Sequence, residues 1–235
     1  DRPMDQEKDG SLDLEKVEKL IKPDDYHYAR TRLLCLENTT NGRVLPDGYA
    51  RQAQELATRF GLSLQLDGAR LFNAAVQMGK PASALAAPFD TVSICLSKGL
   101  GAPVGSVLAG SAEFIAGARR WRKVVGGGMR QAGLLAAGGI YVLENHVERL
   151  ADDQANARTL AEGLRALAGC RIDMSLVQTN MVYLGLPEDK ASEIPQQLKE
   201  RGILVCPGNP MRLVTHLDVS GEDIHKTLSA FEEIL

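Results

Sequence analysis

Lys98 is the residue of this chain best placed to do covalent chemistry. It follows a short apolar, β-branched run, residues 91–96, that predicts a buried strand, and Ser97. Gly99, Gly101, Pro103 and Gly105 come directly after it, and residues 104–108 predict the next strand. An amine at the end of a buried strand, framed by small residues, can meet a bulky electrophile. Desolvation there disfavours the ammonium form and lowers the lysine's pKa. An amine freed of its proton can form a Schiff base with a carbonyl. Gly-rich turns also carry lysines without chemistry, so a second group must decide between the two readings.

Asp67 supplies that second group. It ends a predicted strand over residues 62–66 and opens Asp67-Gly-Ala-Arg70, which leads into a helix over Leu71, Phe72, Ala75 and Val76. Two strand ends separated by one helix can share a crevice. Lysine and aspartate in one crevice are what pyridoxal phosphate chemistry needs: the lysine holds the aldehyde as an imine, and the carboxylate keeps the pyridine nitrogen protonated so that the ring accepts electrons. A strand-terminal aspartate just before a helix also serves as a helix cap, and that reading stays open.

The elements that must position this pair follow from periodicity and punctuation. Helical spacing at Leu12, Leu14, Val17, Leu20 and Ile21 stops at Lys22-Pro23, and a strand is predicted over residues 31–36. A polar loop with an Asn-Gly turn signal, Glu37 to Arg43, leads to a helix opened by Pro46-Asp47. The order α-β-α-β-α-β predicts parallel strands with crossover helices covering both faces of the sheet. Ligands in such sheets sit beyond the carboxyl ends of the strands. Glu37-Asn38, Asp67 to Arg70 and Ser97-Lys98 then face one crevice. Beyond the lysine turn come a helix over residues 113–121, a basic glycine-rich loop from Trp121 to Arg130, and a mostly helical stretch over 131–168. Strands over 181–186, 203–206 and 212–215, with helices at 191–201 and from Glu222, predict a small α/β lobe. Residues 1–150 form the cofactor-binding part in this reading, and 151–235 the small C-terminal domain.

Composition excludes several classes. The 235 residues are 44% hydrophobic and 24% charged, ordinary for a globular chain with a real core. A net charge of −3 favours neither nucleic acid nor an anionic membrane. No apolar run reaches membrane-spanning length, and no signal-peptide core is present. Cys35, Cys95, Cys170 and Cys206 lack CxxC spacing, and three lie in or beside apolar runs. They read as small core hydrophobes in a reducing compartment rather than disulfides or metal ligands, which makes the cytoplasm the default location.

Five segments carry a resemblance: Thr31-Arg-Leu-Leu-Cys-Leu-Glu-Asn38, Leu66-Asp-Gly-Ala-Arg-Leu-Phe-Asn-Ala74, Cys95-Leu-Ser-Lys-Gly-Leu-Gly-Ala-Pro-Val-Gly-Ser106, Trp121-Arg-Lys to Gly128-Met-Arg-Gln131, and Arg212-Leu-Val-Thr-His-Leu-Asp218. In this order and spacing they resemble low-specificity L-threonine aldolase, a family of fold-type I pyridoxal phosphate enzymes. The resemblance covers nearly the whole chain, and the lysine and Asp-Gly-Ala-Arg motifs together are specific.

The resemblance implies a fold-type I α/β architecture, with part of a large, mostly parallel-sheet domain and a small C-terminal α/β domain. It implies pyridoxal 5'-phosphate as cofactor and retro-aldol cleavage of threonine or allo-threonine to glycine and an aldehyde. Another fold-type I lyase or transferase, or an inactive fragment, is the alternative. By resemblance Lys98 carries the cofactor imine and Asp67 pairs with the pyridine nitrogen. Arg70 reaches the cofactor hydroxyl or the substrate carboxylate, and Arg212 clamps that carboxylate. A carboxylate partner for Arg212 also follows from its place in a short apolar strand, where an unpaired guanidinium is costly. His27 matches a histidine near the substrate hydroxyl, although a loop histidine before a strand needs no such role. Lys123 and Arg130 reach a phosphate or carboxylate in a neighbouring subunit's site of a homodimer or homotetramer; a solvated charge is the plain reading of Lys123. Thr40 and Gln65 stand where the family has histidine, which alters polar contacts near the loop and cofactor. The resemblance also implies an N-terminal segment ahead of Asp1, carrying a phosphate-cradling Gly-Thr loop, a ring stacked on the cofactor, and a serine near the carboxylate. None of these lies in the 235 residues.

Overall fold

The computed structural model describes residues 3–235. Helix α1 (Leu14–Leu20) is capped by Asp13, whose carboxylate accepts from the amides of Glu15 and Lys16. Strand β1 (Leu33–Glu37), helix α2 (Tyr49–Arg59), strand β2 (Ser63–Gly68), helices α3 (Leu71–Met78) and α4 (Ala82–Ala86), and strand β3 (Thr91–Cys95) follow. Strand β4 (Ser106–Ala109) then turns back beside β3. The sheet order is β1-β2-β3-β4, with the first three strands parallel and β4 antiparallel to β3.

Register decides which face is covered. Leu36, Leu66 and Val92 are partners across the three parallel strands and share one face. On that face Leu34, Leu36 and Leu64 pack with Tyr49, Ala53, Leu56 and Ala57 of α2, while Leu66 and Val92 pack with Leu71 and the residues of α4. The opposite face, with Glu37, Asp67 and Ser93 in one row, stays open. Coverage of both faces, the expectation from element order, is therefore corrected. Strands added monotonically with crossovers of one hand place every crossover helix on the same side.

The second half starts with α5 (Ala112–Val124), α6 (Gly133–Asn145) and α7 (Leu150–Arg165). The predicted helical stretch over 131–168 is thus broken at His146–Arg149. Strand β5 (Met181–Leu184), helix α8 (Ile194–Glu200), strand β6 (Met211–Val214) and helix α9 (Gly221–Ile234) complete the chain. β5 and β6 form an antiparallel pair, and their buried side chains join those of α7, α8 and α9 in a core that includes Leu184, Leu198, Met211 and Phe231. Truncating one such leucine to alanine costs about 2–5 kcal/mol. The strand predicted over 203–206 does not form. Only Cys206 pairs, through a single bridge to Arg212 of β6.

The halves are joined by directed bonds. Thr179 Oγ1 donates to the Gly42 carbonyl at 2.7 Å, and the Val44 amide donates to Gln178 Oε1 at 2.8 Å. Gln154 Nε2 of α7 donates to the Asn73 carbonyl of α3 at 2.9 Å. All four cysteines are free; Cys35 and Cys206 are exposed, not core as expected, because each points to the uncovered side of its segment.

Candidate active site

The carboxyl ends of β1, β2 and β3 carry the candidate chemistry. Glu37 and Asp67 are register partners, and a parallel pair directs both side chains to the same, open face. Asp67 Oδ1 accepts the Ala69 amide at 3.0 Å. Helix α3 is entered through Arg70, so Asp67 closes a local turn rather than capping that helix. Its Oδ2 accepts no bond from the described residues.

Lys98 stands three residues beyond β3. Its flanking residues, Leu96 and Leu100, are buried with Ala102, Val142 and Leu150, so the turn is gripped while the lysine side chain projects. The buried lysine expected from the apolar strand is corrected here: Lys98 is exposed and has no ion-pair or hydrogen-bond partner among the described residues, because the strand ends before it and the face above is open. The turn depends on its glycines. Gly101 has φ +77°, and a Cβ there would run into Leu217. A Cβ on Gly99 would come within 2.9 Å of Leu150.

Arg70 is half-buried, and its Nε is a buried donor with no partner among the described residues. Burial lowers its pKa first, and repulsion from Arg212 lowers it further, with Tyr183, Glu37 and Cys95 opposing. Arg212 lies opposite Tyr183 on the β5–β6 pair, with its side chain exposed. Arg212 makes no ion pair within the described residues, and alternation along β6 turns it to the outer side while Met211 and Leu213 enter the core. Burial pushes the Glu37 carboxyl up, as does the adjacent Asp67 carboxylate, while Arg70, Lys98 and Arg43 pull it back. Glu37 thus feels the charges of Asp67, Arg70, Lys98 and Arg43, and Arg70 feels that of Arg212, so cationic side chains outnumber carboxylates around the strand ends. That excess of positive charge, one orphaned guanidinium nitrogen and one free amine suit an anionic ligand that also offers a carbonyl.

The other sequence candidates lie elsewhere. His27 sits on the exposed loop entering β1, with Nδ1 2.7 Å from Asp25 Oδ1 and its ring centroid 3.9 Å from that of Tyr26. Its bonds stay within that loop. Lys123, in the last turn of α5, and Arg130, in the following loop, are both exposed.

Sequence reasoning missed a set of residues beneath the lysine turn. His146 Nδ1 lies 2.7 Å from the Leu100 carbonyl oxygen. Arg149 pairs with the fully buried Asp153 one turn along α7. A signal was present: Asp153 interrupts the apolar stripe Leu150, Ala157, Leu160, Ala161 and Leu164.

Residues 1–186 match the model of the beta-eliminating lyase family. The chain is 47% identical over 234 residues to low specificity L-threonine aldolase of Escherichia coli strain K12, covering 100% of this chain and 69% of that protein. It is 42% identical over 239 residues to low-specificity L-threonine aldolase 1 of Arabidopsis thaliana, covering 97% of this chain and 67% of that one. Among solved structures, the threonine aldolase of Leishmania major superposes with a TM-score of 0.78 at 22% identity, over 96% of this chain and 68% of that one. A serine palmitoyltransferase of Sphingomonas wittichii superposes with a TM-score of 0.74 at 19% identity, over 95% of this chain and 59% of that one. The architecture is that of the fold-type I enzymes, and the chain spans about two thirds of the length of the aldolases it matches. The chain, aligned over its whole length with such relatives, belongs to the low-specificity L-threonine aldolase family of lyases.

Proposed function

We propose that this chain catalyses the reversible retro-aldol cleavage of β-hydroxy-α-amino acids, with L-threonine and L-allo-threonine giving glycine and acetaldehyde, and that pyridoxal 5'-phosphate is its cofactor. The observation that carries the reading is the placement of Asp67, Arg70 and Lys98 at and just beyond the carboxyl ends of the paired parallel strands β2 and β3. The residues fit that group: a free amine for its aldehyde, a carboxylate oxygen without a donor for its ring nitrogen, and a buried unpartnered Arg70 Nε for a ring oxygen or carboxylate. When bound, the cofactor supplies an electron sink for the breaking Cα–Cβ bond.

Lys98 would hold the cofactor through its ε-amine, and the Asp67 carboxylate would favour a protonated ring nitrogen. Arg212 takes the substrate carboxylate in a paired, planar contact, which fixes rotation of the amino acid and so selects the bond to be broken.

Lys123 and Arg130 extend toward a second copy's site in a homodimer or homotetramer. An apolar hollow of about 1160 Å³ between β4 and α5, lined by Val107, Leu108, Phe114, Trp121 and Val125, supports such an assembly. No helix of the described residues is long and apolar enough to cross a membrane, and four free thiols suit a reducing cytoplasm.

The test is acetaldehyde release, followed by its reduction with a coupled dehydrogenase, from purified protein given pyridoxal phosphate and L-threonine. Equal amounts of acetaldehyde and glycine are expected. Turnover of another amino acid without acetaldehyde from threonine would contradict the reading.

A further inference from the structure

Asp153 needs an explanation that core packing does not provide. Its side chain is fully buried in the apolar stripe of α7, where a leucine would pack. Burial pushes its carboxyl up, and Arg149 pulls it back down. A buried ion pair of this kind stabilises a fold little compared with apolar side chains of similar volume.

Its connections supply the explanation. Arg149 holds both Asp153 oxygens with its two terminal nitrogens. The same guanidinium donates from Nη1 to the Gly99 carbonyl at 3.4 Å, one residue after Lys98. Leu150 packs where Gly99 has no side chain, and His146 Nδ1 bonds the Leu100 carbonyl. On the other side, the Asp153 carbonyl accepts Thr215 Oγ1 at 2.6 Å. Thr215 directly follows β6, the strand that carries Arg212. One short path thus runs from the lysine turn through Arg149 and Asp153 to the strand of the carboxylate-binding arginine.

We propose that Arg149 and Asp153 are positioning residues that hold the Lys98 turn in fixed relation to β6 and Arg212. This rests on the reading of Lys98 as the cofactor lysine. The planar fork of Arg149 grips both oxygens of a carboxylate and a backbone carbonyl at once in a fixed plane, a geometry that the single ammonium of a lysine does not reproduce and an apolar residue cannot make. A displacement of about 1 Å between two groups that grip opposite ends of a substrate can cost up to ~100-fold in rate.

The decisive variant is the double change Arg149→Met with Asp153→Leu, which replaces the pair by apolar volume and leaves no uncompensated charge. Pyridoxal phosphate affinity, read from the visible imine band, and kcat and KM for threonine are measured beside thermal unfolding. With native-like unfolding, the expected result is about tenfold weaker cofactor affinity and about tenfold lower kcat/KM. Arg149→Lys keeps a charge for Asp153 but loses the fork, and a smaller loss in both quantities is expected. Should the double variant not fold, Arg149→Lys decides alone. Variants that match the unsubstituted protein in cofactor affinity and kinetics would overturn the proposal, as would a change in unfolding alone. Unsubstituted protein that forms no imine would instead overturn the reading of Lys98, and the positioning role with it.

Discussion

Glu37 and Asp67 stand side by side across the β1–β2 ladder, two carboxylates directed to the same open face of the sheet. Burial and the Asp67 charge together raise the Glu37 pKa. Between the ordinary glutamate range and the raised value, the folded protein binds more protons than the unfolded chain. Stability therefore falls as pH rises through that window. Glu37→Gln should be more stable than the unsubstituted protein at neutral pH, with the difference closing as the medium is made acid. Urea midpoints from pH 4 to 8 check this. A variant less stable at neutral pH, or a difference that does not change with pH, would contradict it.

Arg212 lies exposed on β6, close enough to Arg70 to lower its pKa. Two like charges held near each other await an anion. Arg212→Lys preserves the charge and loses the paired geometry, so KM for threonine should rise about tenfold with a smaller change in kcat. Steady-state kinetics decide it. An unchanged KM would remove Arg212 from carboxylate binding.

Gly101 combines a φ of +77° with direct contact between its missing side-chain position and Leu217. Gly101→Ala should cost ~1–3 kcal/mol through backbone strain and overpacking. Because the strain sits three residues from Lys98, cofactor affinity should fall with it. Urea unfolding and cofactor titration check the two parts. A variant of native stability would show that the turn relaxes freely.

The lysine turn was legible because β-branched residues, then glycines, punctuate it on both sides. Asp67 was legible as a strand end, although two short helices, α3 and α4, and not the one expected, separate it from β3. What the sequence hid was three-dimensional bookkeeping. Cys35 sits in a continuous apolar run, yet Leu34 and Leu36 face the core and Cys35 does not, since alternation outranks composition in a half-covered strand. The open sheet face was missed because strand order, not element order, decides where crossover helices go. Residues 203–206 have strand composition, yet only Cys206 pairs, through one bridge to Arg212. Asp153 was visible as a polar residue in an apolar stripe, but its link to Gly99, about fifty positions away, was not.

The central claim is that Lys98 carries the cofactor. Incubation with pyridoxal phosphate, reduction with borohydride and peptide mapping by mass spectrometry test it directly. The expected result is a single pyridoxyl adduct on Lys98, absent from Lys98→Ala together with threonine cleavage. An adduct on another lysine with Lys98 unmodified, or a Lys98→Ala variant that still releases acetaldehyde at the full rate, would contradict it.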